Sequence, residues 1–218
     1  MKKTILTIAI GFSAFSLFAQ QATNAETGSN TNLTAQDATL LPKEKSDDFE
    51  WVVEQFADLG ILRYQIPGWD KLTVNQKLFV YYLTEAGYAG RDMIWDQNYR
   101  HNLEIRHALD QIVRDYKGNR ENGDWDKFIT YTKRVWFSNG IHHHYSTDKI
   151  IPEFSKTYFE SLLSATNTKL SADVVKIMFD PELDNKKVNL DADADLLLSS
   201  ATNCYGVDVS QKDAEAYY

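Results

Sequence analysis

Apolar residues recur along this chain in more than one register, and each register predicts an element. The clearest stripe is Ile105, Leu109, Ile112 and Tyr116, spaced four, three and four apart, which is one face of an α-helix. It forms the second half of a long helix predicted from about Arg91 to Tyr116 and closed by Gly118. Upstream, Leu78, Tyr81, Tyr82 and Glu85 share helical spacing behind Thr73 and Gln76, whose separation is that of a capping box. Gly87 and Gly90 mark the expected stop. Downstream, Phe128, Tyr131, Val135 and Trp136 predict a helix that opens at Asp124 and ends in Ser138-Asn139-Gly140. Two shorter helices follow, Pro152–Ser164 with proline in its first turn and Ser171–Phe179 with serine at its N-cap.

Extended structure is sparse. Residues 49–66 mix aromatic and β-branched side chains around Gly60, which predicts a helix or strand and then a short strand at Ile61–Ile66, ended by a turn at Pro67-Gly68. The run "KKVNL", residues 186–190, reads as one more short strand. The fold class is mainly α with a few short β-strands. A last helix opens at Ser210 and has made two turns by Tyr218. Its apolar face of Ala214, Tyr217 and Tyr218 has no partner in the sequence, which predicts either a truncated chain or a frayed terminal helix.

The N-terminus has another character. Lys2-Lys3 precede an apolar run from Ile5 to Phe18, and small residues follow at Ala19, Ala22 and Ala25, the layout of a secretory signal over residues 1–25. An apolar run of about 14 residues is short for a bilayer span. Residues 26–47, rich in Thr, Asn, Ala and Gln, predict a flexible arm, and residues 48–218 hold the folded part. The expected location is beyond the inner membrane, in the periplasm, with no membrane attachment once the signal is cleaved.

Composition narrows the partners. A net charge of −8 and a pI near 5.1, with no basic stripe, argue against nucleic acid or an anionic membrane. Hydrophobic residues make up 43% of the chain, enough for a packed core. Cys204 is the one cysteine, so neither an internal disulfide nor a thiolate metal cluster can form.

No complete catalytic set is present: there is no glycine-rich dinucleotide or phosphate loop, no Gly-x-Ser-x-Gly and no His-Glu-x-x-His. His142-His143-His144 could chelate, because alternate residues of an extended segment share a face and His142 would then lie beside His144. Two imidazoles make half a zinc site, and no carboxylate is tied to them by spacing, so a polar loop is the better reading. Glu104-x-x-His107 has the spacing of a di-iron motif but lacks its second copy, which leaves a helix whose polar side chains cross-link to neighbours. Asp191, Asp193 and Asp195 begin like a calcium loop. Leu196 stands where glycine is required and Asn203 where the closing glutamate is required, so a solvated acidic turn is expected.

Two stretches, "EQFADLGILRYQIPGWDKLTVNQKLFVYYLTEAGYAGRDMIWDQNYRHNLEIR" and "VWFSNGIHHHYSTDKIIPEF", resemble the N-terminal region of bacterial dipeptidyl peptidase III and its relatives. The resemblance runs from about Glu54 to the end and includes "DNKKVNLDADADL" and "NCYGVDVSQKDAEAYY". It implies a two-lobed, helix-rich zinc exopeptidase that removes dipeptides from the N-termini of short peptides. One lobe would carry the zinc motif His-Glu-x-x-Gly-His, and the other a small β-barrel packed among helices. The motif is absent here, so zinc and the catalytic residues would belong to a C-terminal part of the same protein. This chain would supply scaffold and part of the peptide cleft. By position, Asn139, Gly140, His142, His144 and Tyr145 match a cleft-facing loop, with Tyr145 lining a substrate subsite. A secreted helical module that binds peptide or glycan without catalysis is the alternative.

Overall fold

A computed structural model describes residues 49–218, which divide into two compact units. The signal peptide expected over residues 1–25 and the arm over 26–47 lie outside the described residues.

The first unit comprises residues 49–55 and 60–67 and carries most of a β-hairpin. Strands β1 (Val52–Phe56) and β2 (Leu59–Leu62) pair as the only sheet among the described residues. The Arg63 amide extends the pairing by donating to the Trp51 carbonyl at 2.9 Å. The Arg63 guanidinium lies over the Phe49 ring at 4.9 Å. The strand expected at Ile61–Ile66 therefore begins earlier and ends earlier. The reversal between the two strands is made by Ala57-Asp58, with Ala57 in the left-handed region at φ 48°. A chain that turns there places Val52 and Val53, both β-branched, opposite the second strand.

The second unit holds residues 56–59 and 68–218. Gly68, at φ 81°, leads into a single 3-10 turn at Trp69–Lys71. Helix α1 (Val74–Ala89) opens with the expected capping box: the Thr73 hydroxyl accepts from the Gln76 amide at 3.3 Å, and the Gln76 side chain accepts from the Thr73 amide at 2.9 Å. Gly87 stays within it, and the helix closes at Gly90.

The long helix expected from Arg91 to Tyr116 is two helices, α2 (Arg91–Asn98) and α3 (Asn102–Asp115). Tyr99 breaks it. Its backbone is extended (φ −170°, ψ 135°), its ring is buried, and its hydroxyl donates to the Asp184 carboxylate at 2.5 Å. Burying that ring offsets the interrupted helical hydrogen bonds, and periodicity alone carries no sign of the exchange.

Helix α3 is the hub, packed against α2, α4 (Gly123–Ser138) and α5 (Lys156–Ala165). Ile105, Leu109 and Ile112 of the predicted stripe are all fully buried. Phe128, Tyr131 and Val135 face them from α4, Phe159 and Leu162 from α5, and Val174 and Met178 from α6 (Ala172–Phe179). Phe154 sits among Phe128, Tyr131, Phe159 and Phe179, with ring centroids 5.6–6.0 Å apart. Helices α4, α5 and α6 each begin on a side-chain cap: Asn122 on the Trp125 amide, Ser155 on Tyr158 and Ser171 on Val174. Helix α5 starts after Pro152 because Ser155 supplies the cap, which leaves Phe154 free to enter the core. The expected strand at 186–190 reduces to one bridge, Asp148 with Lys186, flanked by the Lys187 amide donating to Thr147 O at 2.8 Å. Helix α7 (Gln211–Tyr217) opens on a Ser210–Asp213 capping box.

Candidate functional site

Helix α4 ends in a left-handed cap. Asn139 takes φ 52°, and the Gly140 amide donates back to Val135 O at 3.1 Å. Gly140 itself sits at φ 149°, where a β-carbon would lie 2.2 Å from Asn102 Nδ2, so the position requires glycine twice over. The chain then doubles back. Ile150 N donates to Ile141 O at 2.7 Å, His142 bridges Lys149, and His143 N donates to Asp148 O at 2.7 Å.

Asn102, fully buried at the start of α3, clamps the base of this loop. Its Oδ1 accepts from the Ile141 amide at 3.1 Å, and its Nδ2 donates to Trp95 O at 3.1 Å and, longer, to Asn139 O at 3.5 Å. Asn98 Nδ2 also donates to Asn139 O, at 3.1 Å. The polar side chains of α2 and α3 cross-link to neighbours, as the sequence led us to expect. Asn102 gave no individual signal there, since an asparagine in a polar helix looks the same whether it clamps a loop or meets water.

The three histidines have three different environments. His142 is 1% exposed; its ring lies edge-on to Tyr99 at 5.4 Å, and Nε2 stands 2.7 Å from Asp184 O. A carbonyl can only accept, so Nε2 carries the proton. Nδ1 is then a buried acceptor with no hydrogen bond among the described residues. Burial lowers the pKa of this imidazole to about 4, against the pull of the Asp184 carbonyl, and the ring is neutral at physiological pH.

His143 closes the turn. Its Nδ1 accepts from the Tyr145 and Ser146 amides at 3.2 and 3.1 Å, which leaves the proton on Nε2, 3.6 Å from Asp58. Asp58 also pairs with Arg134 at 3.6 Å. His144 is exposed, with its ring 4.9 Å from Phe137 and 4.4 Å from His143. Desolvation, then the neighbouring His143, lower its pKa. Tyr145 is 88% exposed.

The expected face shared by His142 and His144 does not form. Extended structure stops at His142 and a turn occupies 144–146, so the two-residue alternation behind that expectation ends too soon. Of the five residues expected to contact substrate, Asn139 and Gly140 shape the backbone and His142 is internal, while His144 and Tyr145 face outward. Phe137, Asp58 and Arg134 join them as side chains that spacing could not have indicated, because Asp58 is 85 residues from His143 in sequence and arrives through the fold. The surface offers an imidazole, a phenol and aromatic edges on a fixed backbone, a combination suited to recognition by stacking and hydrogen bonding.

The floor is tied down elsewhere. Lys149 reaches through the unit and donates to Ile177 O at 3.0 Å, Asp180 O at 2.5 Å and Leu183 O, capping the C-terminal end of α6. Glu104 pairs with His101 rather than His107. The Asp195 carboxylate accepts from the Leu197, Leu198 and Gln211 amides, so it is spent on backbone capping. Among the described residues no group of three or more His, Cys, Asp or Glu side chains is placed to hold a metal ion. Among those residues, too, no helix is long and apolar enough to cross a membrane. No family model matches the chain, and no curated protein matches it.

Proposed function

We propose that this chain forms part of the non-catalytic lobe of a zinc-dependent dipeptidyl peptidase of the dipeptidyl peptidase III type, with the Asn139–Tyr145 loop lining its peptide cleft. The resemblance of the stretches beginning at Glu54 motivates this reading. The observation that carries it is the clamp: Asn102, Asn98 and His143 all hold a loop whose outermost ring, Tyr145, is 88% exposed. Fixing the backbone beneath an exposed aromatic reduces the ordering cost of binding, which a recognition surface needs and a mere connection does not.

Helix α1 supports the larger context. None of its residues is buried, and Val74, Phe79, Tyr82 and Leu83 are each more than half exposed. Apolar surface of that extent marks a contact face, here one for the remainder of the lobe. The resemblance implies that zinc is held by residues outside these 218, and we assign no catalytic step to this chain. The peptide is the partner, and the periplasm the compartment, on this reading.

The test is Tyr145→Ala in the protein extended to include the zinc motif. Losing one aromatic wall costs on the order of 1–3 kcal/mol of transition-state binding, about fivefold to 150-fold in kcat/KM, with zinc content unchanged. Wild-type kcat/KM in a folded Tyr145→Ala protein refutes the cleft assignment. The 218-residue chain alone should not turn over dipeptidyl-arylamides even with added zinc. Chelator-sensitive turnover by that chain would refute the assignment to a non-catalytic lobe.

A further inference from the structure

The backbone bridges around the histidine loop fix a register that brings one further lysine to it. His142 lies opposite Lys149, and Asp148 opposite Lys186, both antiparallel. Lys149 N donates to Asn185 O at 2.9 Å and Lys187 N to Thr147 O at 2.8 Å, which carries the same register one residue to either side. Residues opposite one another in antiparallel segments share a face, and successive residues alternate between faces. Lys186 and Asp148 therefore occupy one face, where their side chains form an ion pair. His142, Lys149 and Lys187 occupy the other. His142 and Lys149 are buried there, whereas Lys187, beside the exposed turn at 144–146, is only partly buried.

Other cations of this region are engaged. Lys149 donates to three carbonyls, Lys186 faces Asp148, Arg134 faces Asp58 and Arg100 faces Asp184. Those three carboxylates are thereby committed. The Lys187 ammonium has no ion pair among the described residues, and burial, unopposed by any carboxylate, lowers its pKa. Its charge reaches the loop, where it helps to lower the pKa values of His142 and of the exposed His144. A partly desolvated ammonium without a counter-charge is unfavourable until an anion joins it. Lysine presents three donors and no acceptor, so the group that completes it is an anionic oxygen. In a peptide cleft that oxygen belongs to a carboxylate, on an acidic side chain or at the C-terminus of a short peptide. We propose that Lys187 is a specificity-determining residue of the histidine-loop cleft, pairing its ammonium with a carboxylate of the bound peptide. The assignment rests on the cleft reading above and adds to it the class of peptide that the site prefers.

The experiment is a two-dimensional amide NMR titration of the 218-residue chain with three peptides. Tetra-alanine amide carries no carboxylate, tetra-alanine with a free C-terminus carries one there, and Ala-Ala-Glu-Ala amide carries one on a side chain. All three should shift the amides of residues 139–145. At least one carboxylate peptide should bind roughly fivefold more tightly than the neutral one, and which of them does so identifies the source of the carboxylate. Lys187→Met keeps the apolar stem and removes the charge. It should erase that preference, leave affinity for the neutral peptide unchanged and melt no earlier than the wild type. Lys187→Arg should keep the preference. Equal affinity of the wild type for all three peptides, or a preference that survives in Lys187→Met, would overturn the proposal and leave the cleft reading standing. A Lys187→Met protein that melts well below wild type would overturn it too, for the ammonium would then be serving the fold. No shift at residues 139–145 from any peptide would instead overturn the cleft reading, and the Lys187 assignment with it.

Discussion

Replacing Asn102 with alanine removes the clamp at one atom-level stroke, and the structure sets the size of the effect. The Ile141 amide has Asn102 Oδ1 as its acceptor and belongs to a fully buried residue, so it is stranded, at about 1–3 kcal/mol. Trp95 O loses Asn102 Nδ2 but keeps the Tyr99 amide at 3.3 Å, so the loss there is that of an ordinary bond, about 0.5–1.5 kcal/mol. Asn139 O keeps Asn98, and the 3.5 Å contact it loses adds little. The sum is about 2–4 kcal/mol, which lowers Tm by roughly 5–12 °C in a domain of this size. Urea unfolding followed by tryptophan fluorescence measures the total, and amide hydrogen exchange locates it: exchange at Ile141 should accelerate more than at core amides of α3. A loss below about 1 kcal/mol, or exchange at Ile141 that stays at the wild-type rate, would show that Asn102 does not hold the loop.

Gly140→Ala should destabilise by at least about 2 kcal/mol, since alanine meets both the φ of 149° and the Asn102 side chain. In an Asn102→Ala background the same change should cost measurably less, and strict additivity in denaturant melts would contradict the drawn contact. His142 gives a pH signature. Its pKa is about 4 folded and near 6.5 unfolded, so between those values the unfolded state binds the extra proton and stability falls as pH falls. The full effect, reached near pH 4, is about 3 kcal/mol. His142→Gln, which keeps a donor for Asp184 O, should flatten the stability profile between pH 6.5 and 5, and an unchanged slope would refute burial of a neutral imidazole.

Local chemistry was enough for the parts of this protein whose determinants are close in sequence. The capping residues Thr73, Ser171 and Ser210, the stop at Asn139-Gly140 and the buried face of Ile105, Leu109 and Ile112 all depend on neighbours within two helical turns, and they stand where the pattern places them. What the tertiary structure decided involves partners far along the chain. Tyr99 ends a helix because Asp184 and His142 receive its side chain, and no residue near Tyr99 announces that. The histidine run shows the same division. Its polar-loop character follows from composition and from the cap before it. Which imidazole is buried, which closes the turn on Asp58 and which faces solvent was decided by where α3, the hairpin turn and Asp184 come to lie. The physical reason is that backbone hydrogen bonding and side-chain periodicity act over a few residues. Burial and the pairing of polar groups depend instead on the whole packed arrangement, which no short window contains.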